Sequence, residues 1–249
     1  MNIFVLDPNP VLAARWQHDR HVVKMILESC QILSTATQSN DLLRLTYEAR
    51  VAKFGSTIDS SLYKPTHANH PATQWAHSPT AFGWLTVHLT GLLREYNRRF
   101  KKSHKCSRLQ YIFAAMTADF AGAGFHSKDV HHILDEKIST GVADFIGRIA
   151  SFEYCGPDSH AVGEVATAQF PYTPDLVESY RRYYFAEKIE GNRWTHHPKL
   201  DLPEWLAPHA TIHHPVSKRP ARKTVHAPVK PTPGTFKPAP NFANFKLNR

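Results

Sequence analysis

"HDRHVVKMILESCQILSTA", His18 to Ala36, decides the fold, because its polar residues fall on a single line. Val22, Val23, Met25, Ile26, Leu27, Cys30, Ile32 and Leu33 spread around most of a helical circumference. His21, Lys24, Glu28, Gln31 and Thr35 recur at alternating steps of three and four, which makes one thin polar seam on a mostly apolar helix. Such a helix packs on both sides of its seam. The side chains of the seam then border a crevice, where a carboxylate beside a lysine can act as acid, base or nucleophile. The same spacing also fits an exposed edge carrying an ordinary i,i+4 ion pair, worth a few tenths of a kcal/mol.

Outward from this stretch the pattern is helical almost everywhere. Ile3 to Leu6 reads as a short strand or a buried extended lead-in, and Asp7-Pro8 as the start of a first helix ending near Gln17. "NDLLRLTYEARVAKF" is a third helix, and Gly55 to Asn69 is loop-like. Two further helices begin with proline just inside, at Pro71 and Pro79; the second carries the stripe Phe82, Leu85, Leu89, Leu92, Tyr96, Phe100. Another spans about Ser107 to Phe120. Residues 121–170 are irregular, with short helices expected near 127–138 and 142–152, and resemble an insertion. "TPDLVESYRRYYFAEKIEG" restores helical order, with Thr173 as cap, Pro174 in the first turn and Gly191 as terminator. The sequence thus predicts one compact, mainly α domain over 1–214 and a disordered, basic, Pro- and Lys-rich tail over 215–249.

Charge sharpens this division. Lys and Arg number 30 against 21 Asp and Glu, a formal +9, but eight of the basic residues and no acid lie from Pro215 onward. The body is therefore nearly neutral, and a global inference from charge to nucleic acid fails. A local one holds: "REYNRRFKKSHKCSR" sets seven cations, among them Arg98, Arg99, Lys101, Lys102 and Lys105, against Glu95 alone, and such a run neutralises phosphates or suits the negative end of a helix dipole. Cys30, Cys106 and Cys155 are odd in number and widely spaced, which argues against a disulfide framework or a structural zinc site. The N-terminus lacks a basic segment followed by a long apolar run, and no stretch reaches membrane-spanning length, so an intracellular, cytoplasmic setting without membrane contact is expected.

Two more clusters can carry chemistry. "YKPTHANHPATQW" gathers Asn69, His70 and Trp75 after a loop; His70 before Pro71 suits a helix cap, and the H-x-x-H spacing of His67 and His70 has no third ligand at a recognisable distance. No metal and no cofactor are expected. On the late helix Glu187 shares a face with Tyr180, Tyr183 and Tyr184, which makes either a packed tyrosine core or an aromatic wall for a base.

These residues together resemble a known family. Lys24, Glu28 and Gln31, followed by His70-Pro71-Ala72 and Trp75, are similar to small bacterial and phage proteins of the pyrimidine-dimer DNA glycosylase family, endonuclease V type. "MNIFVLD" with "HVVKMILES", and later "SYRRYY", Glu187-Lys188, Trp194 and "PEW", resemble a phage and large-virus branch, so a viral chain would work in the host cytoplasm. The resemblance implies a compact helical enzyme that distorts double-stranded DNA at a damaged site. It attacks the sugar C1′ with its N-terminal amine, assisted by a helix glutamate, for which Glu28 is the counterpart. Asn2 is larger than the residues after which an initiator methionine is readily removed, so the nucleophile stays open among the residue-2 amine, Lys24 and water. The expectation is a glycosylase or glycosylase/lyase with Glu28, Lys24 and His21 catalytic. Gln31, Asn69, His70, Trp75, Tyr180, Tyr184 and Glu187 would line the substrate side, and the basic run would hold phosphates. The alternatives are a non-catalytic nucleic-acid-binding or viral interaction protein, and a base- or nucleotide-modifying enzyme using the same pocket.

Overall fold

The computed structural model describes residues 2–55, 59–120, 176–198 and 201–213. The inserted region, the caps expected at Thr173 and Pro174, Cys155 and the basic tail lie outside the described residues. What is described is mainly helical, as the periodicity predicts: α1 (Pro10–Trp16), α2 (Asp19–Ser39), α3 (Asp41–Phe54), α4 (Pro71–Trp75), α5 (Pro79–Phe100), a 3-10 turn (Lys105–Leu109), α6 (Gln110–Phe120) and α7 (Leu176–Lys188). Two strands follow, β1 (Arg193–Thr195) and β2 (Thr211–His213), paired in parallel with Trp194 opposite Ile212.

Local chemistry sets the boundaries. The first helix begins two residues later than Asp7-Pro8 suggests, because the "DPNP" stretch contains two similar starts. Asp7 Oδ1 accepts the Asn9 N–H (2.8 Å) and turns the chain, and Asn9 Oδ1 then caps by accepting from Val11 (2.9 Å) and Leu12 (3.4 Å), with Pro10 at the first position. His18 caps α2 through Nδ1, which accepts the His21 N–H. Asn40 ends α2 and caps α3 through its side-chain oxygen. Lys101 closes α5 in the left-handed region, at φ 55°.

Packing departs from the sequence in one respect. The stripe on α5 predicts one buried face, yet every residue from Ala81 to Leu93 is buried, because α1, α2 and α6 pack around the helix. Gly91 permits the α1 contact: a Cβ there would lie 2.8 Å from the Ala14 Cβ. Ile3, Val5 and Leu6 are fully buried, so the lead-in is core rather than a loose end. The β1–β2 pair was not foreseen; three-residue strands are too short to show alternation. Trp194 of β1 is fully buried and donates from Nε1 to the Trp16 carbonyl (2.9 Å), while Asp19 accepts from the backbone N–H (2.9 Å) and hydroxyl (2.5 Å) of Thr195.

Candidate active site at the N-terminus

The seam of α2 divides into two halves. In the first, Glu28 keeps 14 % of its side-chain exposure and Lys24 keeps 68 %, so the carboxylate is largely covered while the ammonium is open to solvent. Lys24 Nζ is 3.2 Å from Glu28 Oε1. The other carboxylate oxygen accepts the backbone N–H of Asn2 at 3.0 Å, a contact between residues 26 apart in sequence. The helix therefore delivers its carboxylate to the second residue of the chain.

Asn2 is held in turn. Its side-chain oxygen accepts from the N–H groups of Ile3 (2.7 Å) and Phe4 (3.4 Å) and from the Tyr180 hydroxyl of α7 (3.1 Å). Phe4 adopts φ 52°, a left-handed conformation that costs a bulky residue about 1–3 kcal/mol. Its ring is enclosed by His21 (stacked at 4.1 Å), Tyr180 (6.2 Å), Tyr183 (6.2 Å) and Tyr184 (5.6 Å), and these contacts over-determine the strained backbone.

His21 is held by its ring neighbours. It stacks between Phe4 and His18 (3.9 Å), and burial, with the nearby charges of His18, Lys188 and Lys24, pushes its pKa down to about 2. His18 is pushed down to about 4, chiefly by burial, although Asp19 opposes the shift. Burial favours the neutral form of both rings, and each packs against its aromatic neighbours. Tyr180 and Tyr184 correct the aromatic-wall expectation in the same way: both are fully buried, so neither can stack on a base. Tyr184 instead accepts the His18 N–H (2.8 Å), and burial pushes its phenol pKa well above the ordinary value. Tyr183 stays half-buried with Lys188 Nζ 4.9 Å from its ring centre, and Glu187 is exposed on α7.

The second half of the seam is filled by chain. Thr35 Oγ1 donates to the Thr66 carbonyl (3.2 Å) and accepts the Thr66 N–H (3.1 Å), Gln38 donates to the Tyr63 carbonyl (2.8 Å), and Ser34 accepts the Tyr63 N–H (3.2 Å). Thr35 lies roughly 10 Å along the axis from Glu28, at 1.5 Å per residue. His70 caps α4 by accepting the Ala72 N–H (3.1 Å), Asn69 is exposed, and Trp75 packs edge-on against Trp84 (6.0 Å). This segment meets α2 at its far end, where His77 hydrogen-bonds Ser39 (2.9 Å). Half-buried Gln31 lies between the two halves.

The basic run also splits. Arg99 is fully buried and donates to Glu95 (2.9 Å), Asp19 (3.3 Å) and the carbonyls of Gln17 (2.7 Å) and Arg15 (2.8 Å), which removes it from any phosphate-contacting set. Burial alone would raise the pKa of Glu95, but the bonds and charges of Arg98 and Arg99 hold it below the usual carboxylate value. Arg98 also donates to the His196 carbonyl (2.6 Å). Lys101, Lys102 and Lys105 are exposed. A groove of about 860 Å³ between α1, the end of α5 and the 3-10 turn is lined by Arg15, Arg94, Arg98, Lys101, Lys102 and His104, among others.

The glutamate on the long helix and the nitrogen of residue 2 that it faces both lie in the part of the chain that resembles a known family. Residues 1–108 match the model of the pyrimidine dimer DNA glycosylase family. The match contains Asn2, Lys24, Glu28 and the basic run, and ends before α6 and α7. No curated protein and no solved structure matches the chain. Among the described residues no group of three or more His, Cys, Asp or Glu is placed to hold a metal ion, and no helix is long and apolar enough to cross a membrane. The signal for Asn2 was in the family resemblance, whereas its anchoring by Tyr180 could not be read from either segment alone.

Proposed function

We propose that this protein is a DNA glycosylase with lyase activity on damaged pyrimidines in double-stranded DNA, and that the nitrogen of residue 2 is its nucleophile. The observation that carries this is the 3.0 Å approach of that nitrogen to the Glu28 carboxylate. On a chain that starts at Asn2 the nitrogen is a primary α-amine, whose ordinary pKa near 7.7–8.0 leaves a useful neutral fraction at physiological pH. The amine forms a bond to C1′ as the glycosidic bond breaks, and the departing base takes the bonding electron pair and then a proton. Glu28 receives the proton released by the attacking nitrogen, and its negative charge stabilises the cationic sugar. Opening of the sugar gives an iminium, loss of the C2′ proton expels the 3′ phosphate, and water then releases the amine.

Lys101, Lys102 and Lys105, with Arg98, would hold the phosphate backbone. Gln31, three residues beyond Glu28 on the seam, would contact the displaced nucleotide; Asn69, His70, Trp75 and Glu187 would shape the more distant rim. A chain that retains Met1 has a peptide N–H at this position, and Lys24, 3.2 Å from Glu28, then becomes the competing amine.

Incubation with ultraviolet-damaged and abasic duplexes under borohydride tests the proposal. A covalent protein–DNA adduct is expected, because borohydride reduces the iminium. Absence of adduct with both substrates contradicts the lyase reaction, and DNA binding without an adduct would leave the non-catalytic alternative.

A further inference from the structure

We propose that Tyr180 of α7 is a positioning residue that holds residue 2 in line with Glu28, an inference that rests on the lyase reading above. Tyr180 lies outside the segment that matches the family, so the match assigns it no role. It is fully buried, and its hydroxyl donates to Asn2 Oδ1 at 3.1 Å. The same oxygen accepts the Ile3 and Phe4 N–H groups, and three donors on one carbonyl oxygen leave the Asn2 side chain a single orientation. The backbone nitrogen of Asn2 shares that constraint and sits against Glu28.

The next residue of α7 grips the other end of the lead-in. Arg181 donates to the Leu6 carbonyl (2.8 Å) and pairs with Asp7 (3.2 Å). Phe4, strained at φ 52°, packs its ring among Tyr180, Tyr183 and Tyr184 of the same helix. The helix therefore clasps residues 2–7 along their length, and the Tyr180–Asn2 bond carries the clasp to the reacting residue. An Asn at position 2 suits this task, since its amide oxygen supplies the acceptor. A shift of about 1 Å in a reacting group can cost 10²-fold in rate, so the loss of one tether among three is expected to cost about tenfold.

The test uses the full-length protein, an abasic duplex and borohydride under single-turnover conditions. Mass spectrometry establishes the first residue of each preparation, and thermal midpoints establish folding. Tyr180→Phe removes the hydroxyl and keeps the ring. The expected result is about tenfold slower trapping at saturating DNA with an unchanged half-saturating DNA concentration, a loss in rate without a loss in binding. Asn2→Ala breaks the same bond from the other side, and in the Tyr180→Phe background it should add little further loss. Trapping by Tyr180→Phe at the wild-type rate, or losses in the two variants that multiply, would overturn the positioning role while leaving the lyase reading in place. Failure of the wild-type protein to trap overturns the lyase reading, and the positioning role falls with it.

Discussion

The two halves of the α2 seam have the same periodicity and opposite fates. Around Ser34–Ser39 the polar side chains are engaged by backbone, Thr35 by Thr66, Gln38 and Ser34 by Tyr63, and Ser39 by the Thr35 carbonyl, with the His77 ring as a second partner of Ser39. Around Lys24–Glu28 the partner is the second residue of the chain, and charge remains at the edge of solvent. A polar line on an apolar helix therefore has two meanings in one molecule. Where neutral hydroxyls and amides meet a loop, the seam is a seat for chain; where a carboxylate meets the backbone nitrogen of residue 2, it is the place to which the proposed chemistry is assigned.

If that division is right, damage to each half should show in a different measurement. The largest effect is expected for Glu28→Gln, which keeps the shape and removes the charge: borohydride trapping should fall by about 10²-fold or more with DNA affinity unchanged, since general acid–base groups contribute about 10²–10⁴. A fall in binding alone would place Glu28 in recognition rather than chemistry. Next is acid. Buried His18 and half-buried His21, with pKa values pushed down to about 4 and about 2, gain protons on unfolding at pH below about 6.5. Their contribution to stability is complete above that pH and is lost on acidification, at up to about 1.4 kcal/mol per pH unit for each ring. His21→Phe, which preserves the stack on Phe4, should flatten the fall of the urea midpoint between pH 6.5 and 4.5; an unchanged slope would show that the ring is protonated in the native state.

The other half should respond in stability alone. Thr35→Val removes both bonds to Thr66 and should cost about 1–2 kcal/mol in unfolding free energy with the trapping rate of the folded protein unaltered. A large loss of trapping without loss of stability would erase the distinction between the halves. The smallest effect is expected from Lys101→Gln with Lys102→Gln: a reduction of about two in the slope of log affinity against log salt, and no change in the single-turnover rate at saturating DNA.

Much of this fold is legible along the chain because helices report themselves through local spacing. The α2 seam, the α5 stripe and the Pro71 and Pro79 starts are patterns within a single element, and each appears as a helix in the predicted place. Legibility ends where identity depends on what lies across the core. Arg98 and Arg99 are neighbours in one basic run, yet the helical step turns Arg99 inward onto Glu95 and Asp19, and nothing in the run distinguishes it. Tyr180 and Tyr184 were read as either core or wall, and burial under the lead-in decides for core. Glu28 could be nominated from spacing and resemblance, but its partner, 26 residues earlier, needed the fold.

The central claim is that the nitrogen of residue 2, held against Glu28, forms the bond to sugar. Proteolysis of the borohydride-trapped adduct and mass analysis of its peptides tests this most directly. The account predicts the sugar fragment on a peptide that begins at Asn2; the same fragment on Lys24, or on a peptide that still carries Met1, would contradict it.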